Sequence, residues 1–127
     1  RIEQFELQSV LETIPNVHLI GPQGYFDIVK LQENARLALT DSAGIAEETT
    51  ALQVPCLTLR ENTERPVTIE QGSNQLVGCQ PQRVIEAARA ALADRRTAYS
   101  VPPGWDGRSA ERLVNVLRKG IERRLRY

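Results

Sequence analysis

The stretch from Leu37 to Glu48 constrains the fold of this chain more than any other. The apolar run Leu37-Ala38-Leu39 stops at Thr40, Asp41-Ser42-Ala43 are small or polar, and a helix-compatible segment opens at Gly44. A strand that turns tightly into a helix leaves the first helical N–H groups without intrahelical partners, aimed at whatever lies above the turn. With the helix dipole added, that tip is an anion site, and phosphate is the usual anion in an α/β sheet. Glu48 follows Gly44 by four residues, so it lies on the same helix face one turn in. A carboxylate there is placed to accept hydrogen bonds from a ribose whose phosphates sit at the tip. Taken alone, the motif is explained at least as well by Asp41 or Ser42 acting as a simple N-cap. A Glu early in a helix is also commonly a surface residue favoured by the dipole.

The 127 residues amount to one ordinary domain, 1–127, long enough for a core and short for a two-domain enzyme. Sixteen basic residues balance sixteen acidic ones, so bulk charge argues neither for nucleic acid nor for a membrane surface. No apolar run approaches the roughly 18–20 residues of a membrane span, and no secretory signal is recognisable. The chain starts at Arg1 and contains no Met, which reads as a fragment or a processed product. Cys56 and Cys79 are the only cysteines. Placed at a strand start and just past a neighbouring strand's end, they are separated by roughly 13 Å, beyond a disulfide's reach. Free thiols are expected, as in a reducing cytoplasm.

In chain order, residues 1–14 carry Ile2, Phe5, Val10 and Ile14 at loose helical spacing, broken before Pro15. Val17-His18-Leu19-Ile20 reads as a strand stopped by Gly21-Pro22. Residues 25–34 read as a helix with Ile28, Val29, Leu31 and Ala35 inward, followed by a strand over 37–40 and a helix over 44–52. A strand over 56–59 leads through a polar loop to a helix opened by Pro66 and reaching about Gln71. The fourth strand is 74–78, and the clearest helical periodicity runs from Pro81 to Asp94. After the Pro- and Gly-rich turn at 101–107, a last helix starts at Ser109 with Leu113, Val116, Leu117, Ile121 and Leu125 in one stripe. Its basic end (Arg118, Lys119, Arg123, Arg124, Arg126) complements the dipole and reads as a solvated face.

Short strands alternating with helices imply parallel βα units with right-handed crossovers. In such open sheets ligands bind beyond the carboxyl ends of the strands. The loops there are 21–25, 41–44, 60–65 and the segment after Val77. Arg65, just before Pro66, has two readings of equal weight: a bidentate clamp on a diphosphate, or an ion pair with Glu61 or Glu64. The lone histidine, His18, reads as structural, and Trp105 as a packing anchor. The chain offers no nucleophile–His pairing, no metal-ligand spacing and no Walker-type loop. Spacing therefore argues for binding, and assigns no catalytic residue, metal or cofactor.

The ordered series Pro22-Gln23-Gly24-Tyr25, Leu39-Thr40-Asp41-Ser42-Ala43-Gly44-Ile45-Ala46-Glu47-Glu48, Thr63-Glu64-Arg65-Pro66 and Leu76-Val77-Gly78 resembles the C-terminal part of the non-hydrolysing UDP-N-acetylglucosamine 2-epimerases. Pro103-Gly104-Trp105-Asp106-Gly107 with Arg112 is similar to that family's Gly-Asp-Gly turn and last helix. The resemblance implies an α/β fold: a partial Rossmann-like parallel sheet of about four strands flanked by helices, the C-terminal half of a GT-B-type enzyme. Its N-terminal side is expected to be incomplete, lacking two strands that would lie between the Val17 and Leu37 strands.

By the same resemblance, Ser42, Ala43 and Gly44 meet the diphosphate, Glu48 holds the ribose, Arg65 neutralises phosphate, and the Gln23 and Ile28 region meets uracil. The implied ligands are UDP-GlcNAc, UDP-ManNAc or UDP, the implied setting is cytoplasmic cell-envelope polysaccharide synthesis, and the full-length enzyme is expected to be a homodimer. The family's reaction removes the proton at sugar C2, eliminates UDP in anti fashion to 2-acetamidoglucal, and adds UDP back. The carboxylates implied in that chemistry belong to the N-terminal half, so this chain alone is expected to be inactive. Two departures stand out: Ala43 replaces the usual Gly and is tolerable if φ stays negative, and Ile28 replaces a frequent Phe. A stand-alone nucleotide-sugar-binding module without turnover, and a UDP-dependent GT-B glycosyltransferase domain, are the alternative readings.

Overall fold

The computed structural model describes residues 2, 4–94 and 99–124, the side chain of Arg123 excepted. Leu125 and Arg126, expected on the last helix's stripe and basic end, lie outside the described residues, as do Arg1 and Glu3 of the first expected helix. The chain divides into two compact units, Arg1–Lys30 and Leu31–Tyr127.

Among the described residues of the first unit, regular structure is limited to α1 (Gln8–Glu12) and the opening of α2 (Tyr25–Glu33). The helix expected over 1–14 is cut short because Glu6 adopts a left-handed φ of 53°, which an α-helix cannot run through. Asn16, at φ 64°, closes the segment in the same way. The Val17–Ile20 run is no strand, which corrects the expected four strands to three among the described residues. A strand exists only in a ladder, and nothing among the described residues pairs with this one. His18 accordingly lies exposed in irregular chain rather than in a sheet.

The second unit is built on three parallel strands in the order β1 (Ala38–Thr40), β2 (Cys56–Thr58) and β3 (Asn74–Leu76). Ala38 stands opposite Cys56, and Cys56 opposite Asn74, so the strands start in line and end in line. All three residues of β2 are buried, as a central strand covered on both faces requires. α3 (Ala43–Ala51) connects β1 to β2, and α4 (Val67–Glu70) connects β2 to β3. α3 packs on all three strands, and α5 (Pro81–Ala93) packs on β2. α6 (Ser109–Arg124) ends the described chain.

The core is unusually polar. Its buried apolar members are Ala46, Val54, Cys56, Leu57 and Val77, against Thr40, Thr49, Thr50, Thr58, Thr68, Ser73, Asn74 and Gln32 on the polar side. The threonines fit because each hydroxyl is satisfied close to home. Thr49 Oγ1 donates to the Ile45 carbonyl and Thr50 Oγ1 to the Ala46 carbonyl, both at 2.8 Å. Thr58 Oγ1 donates to Asn74 Oδ1 at 2.8 Å, and Asn74 Nδ2 donates to Thr68 Oγ1 at 3.2 Å. Gly72 seals the space between α3 and α4: a Cβ there would stand 2.5 Å from the Thr68 carbonyl and 2.6 Å from Thr50 Cγ2.

The inward stripe of α2 also differs from expectation. Ile28, Val29 and Ala35 are half-buried, but Leu31 is 53% exposed and Gln32 takes the buried place. Both cysteines are free; Cys56 is buried and Cys79 exposed. Burial pushes the Cys56 thiol above its ordinary range, partly offset by hydrogen bonding with Thr49 and Thr58.

Candidate functional site

The turn after β1 is shaped by Thr40, whose Oγ1 accepts the Ser42 N–H at 3.0 Å. Ser42 then takes extended backbone (φ −87°, ψ 124°) and its side chain makes no capping bond, so it is an N-cap by position only. The helical ladder begins with the Ala46 N–H on the Ser42 carbonyl at 3.2 Å. The N–H groups of Ala43, Gly44 and Ile45 therefore lie ahead of the ladder at the carboxyl edge of the sheet. The helix starts one residue earlier than expected, which places Ala43 at the first helical position. Its φ is not positive, so the methyl group that departs from the family pattern brings no backbone strain. A Cβ at Gly44 would meet nothing closer than Ser42 Oγ at 3.7 Å. The missing side chain at Gly44 therefore leaves room above the turn.

Two adjacent carboxylates leave the first turns of α3 and are held by different residues. Gln32 Nε2 donates to Glu48 Oε2 at 2.6 Å. Arg65 Nε donates to Glu47 Oε1 at 2.6 Å, and its NH1 donates to the Glu64 carbonyl at 3.2 Å. The ion pair expected for Arg65 with Glu61 or Glu64 is thus replaced by one with Glu47. Glu64 faces Arg60 at 3.9 Å instead, and the Glu61 carboxylate lies where a Cβ on Gly78 would have to be. Gly78 adopts φ 66° there, a conformation that favours glycine, whereas the exposed Glu61 side chain could swing aside. Arg65 is anchored through its backbone: its N–H donates to Thr63 Oγ1 at 3.0 Å and its carbonyl accepts from Thr68 Oγ1 at 2.8 Å.

Ser42, Ala43 and Gly44 form the tip of α3, Glu48 lies further along that helix, and Arg65 reaches the adjacent Glu47, all within the second unit. Gln23 and Ile28 belong to the first unit, where the exposed Gln23 donates Nε2 to the Gly21 carbonyl at 2.9 Å and Ile28 is half-buried on α2. Gln32 and Glu47 were not singled out from the sequence. Gln32 follows Ile28 by four residues and shares its helix face, a signal masked by the apolar Leu31 beside it. A cavity of about 300 Å³ lined by Cys56, Ser73 and Asn74 opens at the opposite, amino ends of β2 and β3. The chemistry-bearing residues stand at the carboxyl edge, where ligands of open α/β sheets bind. The turn at 101–107 is clipped to α6 by Arg112, which pairs with Asp106 and donates NH1 to the Gly104 carbonyl at 3.1 Å. That guanidinium holds the Asp106 carboxyl below its usual range. No group of three or more His, Cys, Asp or Glu among the described residues is arranged to hold a metal ion. No helix there is long and apolar enough to cross a membrane.

A parallel α/β unit with an open helix tip, flanking carboxylates and a nearby arginine belongs to the open-sheet α/β class, in which ligands bind beyond the carboxyl ends of the strands. The family model for UDP-N-acetylglucosamine 2-epimerase matches residues 3–118, and the chain belongs to that family. It is 42% identical over 120 residues to the UDP-N-acetylglucosamine 2-epimerase of Methanocaldococcus jannaschii, covering 94% of this chain and 32% of that protein. The Escherichia coli enzyme of the same description is 37% identical over 116 residues, covering 88% and 31%. The fold matches the solved structure of the M. jannaschii enzyme in complex with UDP-GlcNAc and UDP, with a TM-score of 0.80 at 41% identity over 93% of this chain and 32% of that one. A Listeria monocytogenes relative gives a TM-score of 0.80 at 30% identity, over 94% and 33%. The chain thus spans about one third of the length of the relatives it matches.

Proposed function

We propose that these residues are the C-terminal, nucleotide-sugar-holding part of a UDP-GlcNAc 2-epimerase, binding UDP-GlcNAc or UDP-ManNAc through the nucleotide. The observation that carries this reading is the open tip of α3, with Ser42 uncapped and Glu48 one turn in. Ser42, Ala43 and Gly44 supply donors to the diphosphate, and Glu48 accepts from the ribose hydroxyls. By the family resemblance, Gln23 and Ile28 are the candidates for contact with the uracil, Ile28 with an aliphatic side chain where an aromatic is frequent in the family. The relative solved with UDP-GlcNAc and UDP supports the ligand class.

Arg65 neutralises phosphate. Its pair with Glu47 is about half exposed on the arginine side, and an exposed pair of this kind is worth about 0–1 kcal/mol. A charge-assisted, bidentate contact to a dianionic diphosphate is stronger, so the phosphate displaces or shares the guanidinium rather than being shut out. In the family reaction the C2 proton is removed, the C1–O bond breaks, and UDP departs with the electron pair before re-adding to the glycal. Groups at the tip of α3 stabilise that departing anion, which lowers the barrier to elimination and to its reverse. The acid and base come from residues outside this chain.

Titration of UDP into the full-length protein, with Glu48→Ala and Arg65→Ala variants, tests the assignment. Each variant is expected to lose about 1–3 kcal/mol of UDP affinity. Unchanged affinity in both refutes the site. Conversion of UDP-GlcNAc to UDP-ManNAc by these residues alone refutes the placement of the acid and base elsewhere.

A further inference from the structure

We propose that Gln32 is a positioning residue for Glu48, and that it sets how strongly the site prefers a nucleotide carrying free ribose hydroxyls. The inference rests on the reading that Glu48 meets the ribose. Gln32 is 7% exposed and donates Nε2 to Glu48 Oε2 at 2.6 Å, the short distance of a charge-assisted bond. The amide orientation follows from chemistry: an ionised carboxylate only accepts, so the NH₂ group must face it and the amide oxygen must face away. That oxygen, Oε1, is buried and meets no donor among the described residues.

A buried acceptor without a donor is costly, and an apolar side chain of the same size would avoid the cost altogether. The orphaned Oε1 is therefore a cost that packing alone does not require. One turn earlier on the same face of α2 stands Ile28, which is apolar and half-buried. What the glutamine adds is a fixed grip on one oxygen of a half-exposed carboxylate. A free Glu on a helix surface samples several rotamers, and ordering such a side chain on ligand binding subtracts from affinity. With Gln32 holding Oε2, the carboxylate is ordered before the nucleotide arrives, and Oε1 of Glu48 accepts no hydrogen bond among the described residues. The benefit falls only on a ligand that uses Glu48.

The test is calorimetric titration of the full-length protein with UDP and with 2′,3′-dideoxy-UDP, for wild type, Gln32→Met, Gln32→Leu and Glu48→Ala. Gln32→Met keeps the volume and removes both polar atoms. It is expected to weaken UDP about 3- to 10-fold and to leave dideoxy-UDP unchanged, shrinking the preference between them by the same factor. An equal loss for both nucleotides, or no loss for either, overturns the proposal, because packing alone moves both together. If Met at this position does not fold, Gln32→Leu decides; if neither folds, Gln32 is a structural residue and the proposal is overturned. Glu48→Ala separates the two levels. A preference unchanged by Glu48→Ala removes the ribose assignment and this inference with it. A preference abolished by Glu48→Ala but untouched by Gln32→Met removes this inference alone.

Discussion

The region around α3, α4 and β3 and the helix α6 invert each other's chemistry. In the first, polar side chains are buried: Thr49, Thr50 and Thr68 are fully inaccessible, and each hydroxyl closes onto a nearby acceptor. In the second, apolar side chains are bare: Leu113, Val114, Val116, Leu117 and Ile121 are 57–68% exposed. Hydrophobicity along the chain thus ranks these segments in the wrong order for burial. Burial is decided by how closely backbones approach, and small side chains with self-satisfied hydroxyls allow the closest approach. The candidate site stands on the first region, where Thr68 ties the Arg65 backbone into the core through Asn74 and Thr58.

The sharpest way to break the contrast is to add one methyl group in each region. Gly72→Ala drives a Cβ into the Thr68 carbonyl and the Thr50 methyl, and is expected to destabilise by about 3 kcal/mol in urea unfolding. A neutral result would mean that α3 and α4 are not closely packed. Thr68→Val comes next: it strips donors and acceptors from Asn74 and Arg65 and should cost about 1–3 kcal/mol. A smaller weakening of UDP binding should accompany that loss, since one of the hydrogen bonds that anchor the Arg65 backbone is removed.

The matching change in α6, Gly120→Ala, has the opposite sign. A Cβ there meets nothing within 4 Å, so the helix should gain about 1 kcal/mol, visible as increased helicity by circular dichroism. Leu117→Gln, on the exposed stripe, should shift stability by no more than about 0.5 kcal/mol. A larger loss would show that the stripe is covered in solution. The smallest effect concerns pH. Because Arg112 lowers the Asp106 pKa in the folded state, the contribution of that contact is present above the ordinary carboxylate range and lost as pH falls through the lowered folded value. An NMR titration should find the Asp106 carboxyl titrating below ordinary aspartates, and Arg112→Met should raise it toward their range, with the Arg108 N–H still holding it down in part.

Much of the site was legible residue by residue. The strand, turn and helix across Leu37–Glu48 appear where the pattern places them, with boundaries shifted by a single residue at Ala38 and Ala43. The partner of Arg65 was not legible. Glu61 and Glu64 are close in sequence, whereas Glu47 lies 18 residues away and meets Arg65 only because α3 and α4 pack together. The same holds for Gln32, 16 residues from Glu48. On α2, neighbouring positions differ by about 100° around the helix, so periodicity could not separate Leu31 from Gln32 as the buried residue. At 17–20 a strand-like composition met no pairing strand among the described residues, and composition cannot supply one.

The sequence by itself determined the α/β alternation, the helix tip and the family, because those are written in spacings of one to five residues and in ordered motifs. It also determined which side chains carry charge at the carboxyl edge of the sheet. Only the tertiary structure decided that Gln32 holds Glu48, that Glu47 holds Arg65, and that threonines rather than leucines fill the core. Each of those outcomes requires the chain to close through the parallel sheet, bringing distant segments within hydrogen-bond reach. Backbone spacing across that closure, rather than the polarity of any one residue, then selects what is buried.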